Sequence, residues 1–273
     1  MLTKLEVRTE AGSLLVLPLD DVSDGYALTN VEGLDPVKAT VVSSSFAAVD
    51  GAHFHSARRE LRNILITLKL LPDFVASSAR SLRTNLYDYF MPKSEVQLRF
   101  FDDSDLTVNI SGRVETLEAP LWTEEPEANI SILCFDPDFV ELDSITVEGD
   151  TVDDTTEFLI TYDGSVETGF EFVLNVDRVL DEFTIYHRPP DNVVRTMDFA
   201  ASLVADDVVT INTNVGEKAA TLLRSSTLSS ILYGVSAQST WFELVKGDNY
   251  LRVFAEGAAI PFTIEYTQRH GGL

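Results

Sequence analysis

The sequence predicts a mainly β protein: an N-terminal β-rich domain carrying one α-helix at about residues 74–90, then a C-terminal antiparallel β-sandwich. Three observations support this. Most segments alternate apolar and polar residues with period two, only one stretch has helical spacing, and the second half is a series of short apolar runs separated by Gly/Asp/Asn turns. The 273 residues suit two domains, and 45% hydrophobic and 10% aromatic content supplies cores for both.

In "RNILITLKLL", Ile64, Ile66, Leu68 and Leu70 share one strand face, with Asn63, Thr67 and Lys69 on the other. "VQLRFF" and "LTVNI" flank Asp102, Asp103, Ser104 and Asp105, a group with hairpin-turn chemistry. Between these strands, Asp73 is an expected N-cap. Leu82, Leu86 and Phe90 then follow at four-residue steps until Pro92 stops the helix, leaving Arg80, Arg83 and Asp88 on its exposed face. The Asp/Thr/Gly-rich segment 142–157 marks the expected boundary, giving domains 1–142 and 143–273. Beyond it, "FLITYDG", "FEFVLNV", "EFTIYHRP", "DVVTINT", "KAATLLR", "WFELV", "YLRVFAE" and "PFTIEYT" read as strands, with "NVGEK" and "KGDN" as turns.

Charge narrows the function. Against 20 Lys+Arg stand 44 Asp+Glu, a formal net charge of −24. Phosphate backbones and anionic lipid repel such a chain, so specific nucleic-acid binding and membrane attachment are not expected. No stretch has the length and apolarity of a membrane span, and "MLTKLEVRTEAG" lacks a signal-peptide pattern, which predicts synthesis in a cytoplasm. The exception to the acidity is residues 53–93, where Arg58, Arg59, Arg62, Lys69, Arg80, Arg83 and Lys93 face only Glu60, Asp73 and Asp88. These cations are either solvated or form a seam against an acidic face of another copy.

No phosphate loop, dinucleotide fingerprint, nucleophile elbow or zincin motif occurs, so no catalytic residue, metal site or cofactor is expected. His53 and His55 would share a strand face, but beside Arg58 and Arg59 they read as surface or interface histidines. Asp102, Asp103 and Asp105, like Asp136 and Asp138, read as turn formers. The single Cys134 lies in an apolar run and reads as a buried small hydrophobe. Trp241 and Glu243 point the same way and Phe242 and Leu244 the other. One pair faces the core, and an exposed Trp–Glu pair would suit saccharide contact.

Several elements resemble the distal tail proteins of long flexible-tailed bacteriophages: Glu-Gly-Leu-Asp-Pro at 32–36, Asp-Gly at 50–51 before an Arg-rich strand, Cys-x-Asp-Pro-x-Phe at 134–139, and the terminal "STWFELVKGDNYLRVF…FTIEYTQRHGGL". The resemblance implies a β-rich belt domain closing a homohexameric ring, with a galectin-like sandwich on its periphery. It further implies a place in the virion between the tail tube protein and the tail-tip hub with its receptor-binding apparatus, and a bore through which DNA passes. Arg58, Arg59, Arg62, Arg80 and Arg83 are then the candidate inter-subunit contacts. Sugar-binding galectins carry a His-x-Asn-x-Arg strand and a Trp followed three residues later by Glu. Here "YHRPP" at 186–190 lacks the Asn and Glu243 is two residues past Trp241, which favours scaffold over saccharide binding. Saccharide contact at Trp241 and Glu243 remains the alternative, and a glycan-cleaving enzyme a weaker third.

Overall fold

The computed structural model describes residues 2–19, 21–47, 50–73, 75, 77–103, 107–120, 125–257 and 259–273. It divides into two compact units, residues 1–142 with 270–273, and residues 143–269. Among the described residues it contains nineteen strands and one α-helix, and the sheets are antiparallel throughout the registered ladders.

Unit 1 contains β1 (Leu2–Thr9), β2 (Leu14–Pro18), β3 (Tyr26–Glu32), β4 (Ala39–Ser44), β5 (His53–Arg59), β6 (Arg62–Leu70), α1 (Ala79–Phe90), β7 (Glu95–Asp102), β8 (Thr107–Glu118), β9 (Glu127–Cys134) and the start of β10 (Phe139–Asp150). One layer runs β2-β1-β7-β8 and the other β3-β6-β9-β8. β8 serves both, because residues 107–113 pair with β7 and residues 113–118 with β9, with a register shift between Val114 and Thr116. A bulge lets one strand turn a sheet corner in this way. Gly112 sits at that corner, where a Cβ would lie 2.7 Å from Ile132 Cγ2 and 2.8 Å from Cys134 Sγ. The period-two face of β6 is buried as expected, and Leu82, Leu86 and Phe90 of α1 close over the same core.

The helix starts later than expected. Ser78, not Asp73, is the N-cap: its hydroxyl accepts from Ser81 N while the Ser81 hydroxyl accepts from Ser78 N. A serine pair at N-cap and N3 satisfies two backbone donors reciprocally, which Asp73 cannot do from five residues away. Met91 ends the helix in an extended conformation before Pro92, which disfavours helix in the residue preceding it.

Unit 2 is a β-sandwich. One sheet orders β17 (Thr227–Ser230), β16 (Ala219–Arg224), β15 (Val208–Asn212), β12 (Glu171–Asn175), β19 (Pro261–His270) and β10. The other orders β11 (Phe158–Tyr162), β18 (Gly247–Ala255), β13 (Leu180–Arg188) and β14 (Arg195–Leu203). The aromatic core includes Phe172, Phe183, Phe199 and Phe262, with Phe183 stacked on Phe199 at 4.8 Å.

The units divide at 142/143, inside a strand: β10 runs to Asp150, and Ile145 and Val147 pack on the unit 2 core, so the alternation of this segment outweighs its Asp/Gly content. Three expectations are corrected here. "WFELV" forms only an isolated bridge, Thr168 to Leu244, and "KGDN" is not a turn because Gly247, Asp248 and Asn249 open β18. Residues 270–273 belong to unit 1, where Leu273 N donates to Leu34 O and a Cβ on Gly272 would approach Pro36 Cδ to 2.7 Å.

Candidate functional site

Arg62 opens β6 with the parity of Ile64 and Ile66, so its side chain enters the interior and is only 1% exposed. All three of its nitrogens donate. Nε donates to Pro137 O (2.7 Å), Nη1 to Asp35 O (2.8 Å) and Gly33 O, and Nη2 to Gly271 O (2.6 Å). The guanidinium also lies 4.3 Å from the Phe139 ring centroid. Burial lowers its pKa from the usual arginine value, although the carbonyls and ring accommodate the charge. The three sequence elements quoted above, at 32–36, 134–139 and the C-terminal end, thus converge on one cation. Gly33 is required there: its φ is +89° and a Cβ would lie 2.1 Å from Asn63 O. As an inter-subunit contact Arg62 is a correction, because a buried guanidinium with four internal acceptors has nothing to present to another chain.

Next to this centre stands a two-stranded ribbon, β4 and β5, paired with each other and with no third strand among the described residues. All seven residues of β5 are exposed. Phe54 is 60% exposed and Phe46 65%, with Val41 and Val42 also largely in solvent. Isolated two-stranded hairpins are marginal in water, so such a ribbon needs another surface to cover it. Arg59 anchors its base through a bidentate pair to the buried Asp138, whose backbone N–H in turn donates to Asp136. Arg58 is exposed and makes no ion pair among the described residues. His53 and His55 have ring centroids 5.2 Å apart, and His55 Nε2 is 2.7 Å from Ser44 Oγ.

On α1, Arg80 is exposed, while Arg83 is half-buried, 5.8 Å from the Tyr87 ring, with Nε lacking a hydrogen-bond partner among the described residues. Elsewhere in unit 1, the outer edges of β2 and β3 pair with no further strand among the described residues. Beside them lies a pocket of about 210 Å³ lined by Leu2, Leu5, Leu19, Leu28, Val31 and Phe100 among others.

In unit 2, Phe242 and Leu244 are the core-facing pair, and Trp241 and Glu243 are half-buried. The indole packs on the core rather than standing free. Burial and the nearby Glu167 raise the Glu243 pKa, opposed by Lys218 and Arg269. This segment is held by Asn249, whose amide donates to Val245 O (2.8 Å) and Gly247 O (2.9 Å) while its Oδ1 accepts from Val245 N. Sequence reasoning missed Asn249 and its buried partner His187, 3.0 Å away, although both share strand parity with core residues. Burial lowers the His187 pKa, and its Nδ1 has no partner among the described residues.

Cys134 is buried, which pushes its thiol pKa up to about 12. No group of three or more His, Cys, Asp or Glu able to hold a metal occurs among the described residues. Asp105 lies outside them. No helix of the described residues is long and apolar enough to cross a membrane.

Comparison with known proteins places this architecture. Residues 163–270 match the family model of the siphovirus-type tail component, C-terminal domain. The fold is similar over 97% of this chain and 98% of the other to the Dit protein of phage SPP1, described as a paradigm of the hub adsorption apparatus in phages infecting Gram-positive bacteria. The TM-score is 0.70 and the identity 15%. A chain of the phage P2 baseplate in its Ca-activated conformation aligns over 97% of this chain and 98% of that one, with a TM-score of 0.48 and 11% identity. No curated protein sequence matches the chain. The siphovirus-type tail component match thus covers unit 2 from residue 163 to its end, and the fold of the chain as a whole is similar to that of the SPP1 Dit protein.

Proposed function

We propose that the chain forms a homohexameric ring in the tail tip, an adaptor between the tail tube and the hub with its receptor-binding apparatus, and that DNA passes through its bore. The observation that carries this reading is the β4–β5 ribbon. It exposes Val41, Val42, Phe46 and Phe54, and it carries basic side chains on a chain of net charge −24. Ring closure needs two different patches that meet head to tail. The ribbon is one. The unpaired edges of β2 and β3 with their apolar pocket are the other, since free edges and uncovered apolar groups both gain by being covered. Arg58 at the ribbon, and Arg80 with Arg83 on α1, supply positive charge to steer it onto an acidic neighbour, whereas the charge of Arg59 is met by Asp138. Acidic walls would let DNA pass without adhering.

Sedimentation of the purified chain beside Phe54→Asp and Arg58→Glu tests this. Both variants should sediment as smaller species with unchanged thermal stability. Wild-type assembly retained in both would remove the ribbon from the interface. The Trp241–Glu243 saccharide reading gains no support from its geometry, since the indole is committed to core packing.

A further inference from the structure

The sheet edge at β16 and β17 presents a different surface, independent of ring formation. These strands pair as Leu222↔Ser229 and Arg224↔Thr227, so all four side chains point to one face. The connecting residues Ser225 and Ser226 have φ of 49° and 65°, the left-handed pair of a tight hairpin turn, adopted here without glycine. After β17 the chain makes a 3-10 turn over Leu232–Gly234. This turn is fixed by Ile231 N to Ala220 O (2.9 Å), and Gly234 packs so closely that a Cβ would lie 2.8 Å from the Phe199 ring. Tyr233 rides on this anchored turn with its side chain 80% exposed. Together they bound a shallow groove, open to solvent, at the sheet edge.

The lining is specific in its chemistry. Arg224 is pre-positioned: Nε donates to Asp207 Oδ1 (2.8 Å), and Nη2 donates to Asp207 Oδ2 and to Ser202 O (3.0 Å), while Nη1 makes no hydrogen bond among the described residues. Asp207 is 1% exposed and holds the pair fixed. The Ser225, Thr227 and Ser230 hydroxyls likewise make no hydrogen bond among the described residues, and each can both donate and accept. Leu222 and Ile231 form a small apolar floor.

We propose that this groove binds a neutral saccharide. A pyranose offers an apolar C–H face for the Tyr233 ring and hydroxyls for Arg224 Nη1 and Thr227. Asp207 cancels the Arg224 charge and the chain carries −24, so an anionic ligand is disfavoured. A polypeptide strand added to β17 fits less well, because that edge is four residues long and bounded by turns at both ends.

The test is an array of neutral oligosaccharides ending in glucose, galactose, N-acetylglucosamine or rhamnose, probed with the full chain, followed by titration of the strongest binder. Wild type should bind at least one glycan, Tyr233→Ala should weaken it at least ~10-fold, and Trp241→Ala should leave it unchanged. Tyr233 is largely solvent-exposed, so its removal spares the fold, which a thermal melt checks. No bound glycan on the array, equal affinity in Tyr233→Ala, or loss in Trp241→Ala alone would each overturn the proposal. None of these results bears on ring assembly, which is read separately by particle mass.

Discussion

Removing the Arg62 guanidinium should cost unit 1 more than any other single polar change. Arg62→Ala strands four carbonyl oxygens, those of Gly33, Asp35, Pro137 and Gly271, in a site where the side chain is 1% exposed. A buried acceptor left unpaired costs about 1–3 kcal/mol, but water can enter the vacated volume and the desolvation penalty of the charge is recovered. The net loss is therefore about 3–4 kcal/mol, below the sum of four full penalties, and equals a fall in Tm of roughly 6–16 °C for a unit of this size. Arg62→Lys should recover little, because one ammonium cannot reach four acceptors spread around a planar fork. Urea denaturation of both variants, followed by circular dichroism, gives the free energies directly. A loss below about 1 kcal/mol in Arg62→Ala would refute the argument that this cation ties the three segments together.

Further outcomes follow from other parts of the molecule. Gly33→Ala should cost about 2–4 kcal/mol by chemical denaturation, since φ is +89° and Asn63 O occupies the space a Cβ needs. His187 has a folded pKa below its unfolded value, so the unfolded state takes up the proton first and its stabilising effect, present above pH ~6.5, is lost as pH falls; His187→Gln should flatten the fall in unit 2 stability as pH drops below ~6.5. Cys134, buried with its thiol pKa near 12, should resist iodoacetamide in the native protein and react only on unfolding.

Strand periodicity carried most of the fold. Ile64 to Leu70 and the core face of α1 were legible because burial enforces their spacing. The same parity places Arg62, His187 and Asn249 inside, yet charge and polarity suggest surface positions, and only the location of distant carbonyls and amides shows how each is satisfied. β14 and β17 escaped notice because "RTMDFAASL" breaks its alternation and "TLSS" is wholly exposed. Segment 142–157 misled in the opposite direction: turn-forming residues occupy the solvent side of a long strand whose inner positions, Ile145 and Val147, reach the core. The ribbon was visible in sequence only as a cluster of cations, since exposure of Phe46 and Phe54 depends on there being no third strand beside them among the described residues.

The most direct test of the central claim is the particle mass of the purified chain in solution at micromolar concentration. The account predicts a species of six times the 30.2 kDa chain mass, with ring-shaped images, that shifts to smaller species in Phe54→Asp. A monomer persisting at every concentration, or a hexamer indifferent to changes throughout the ribbon, would contradict it.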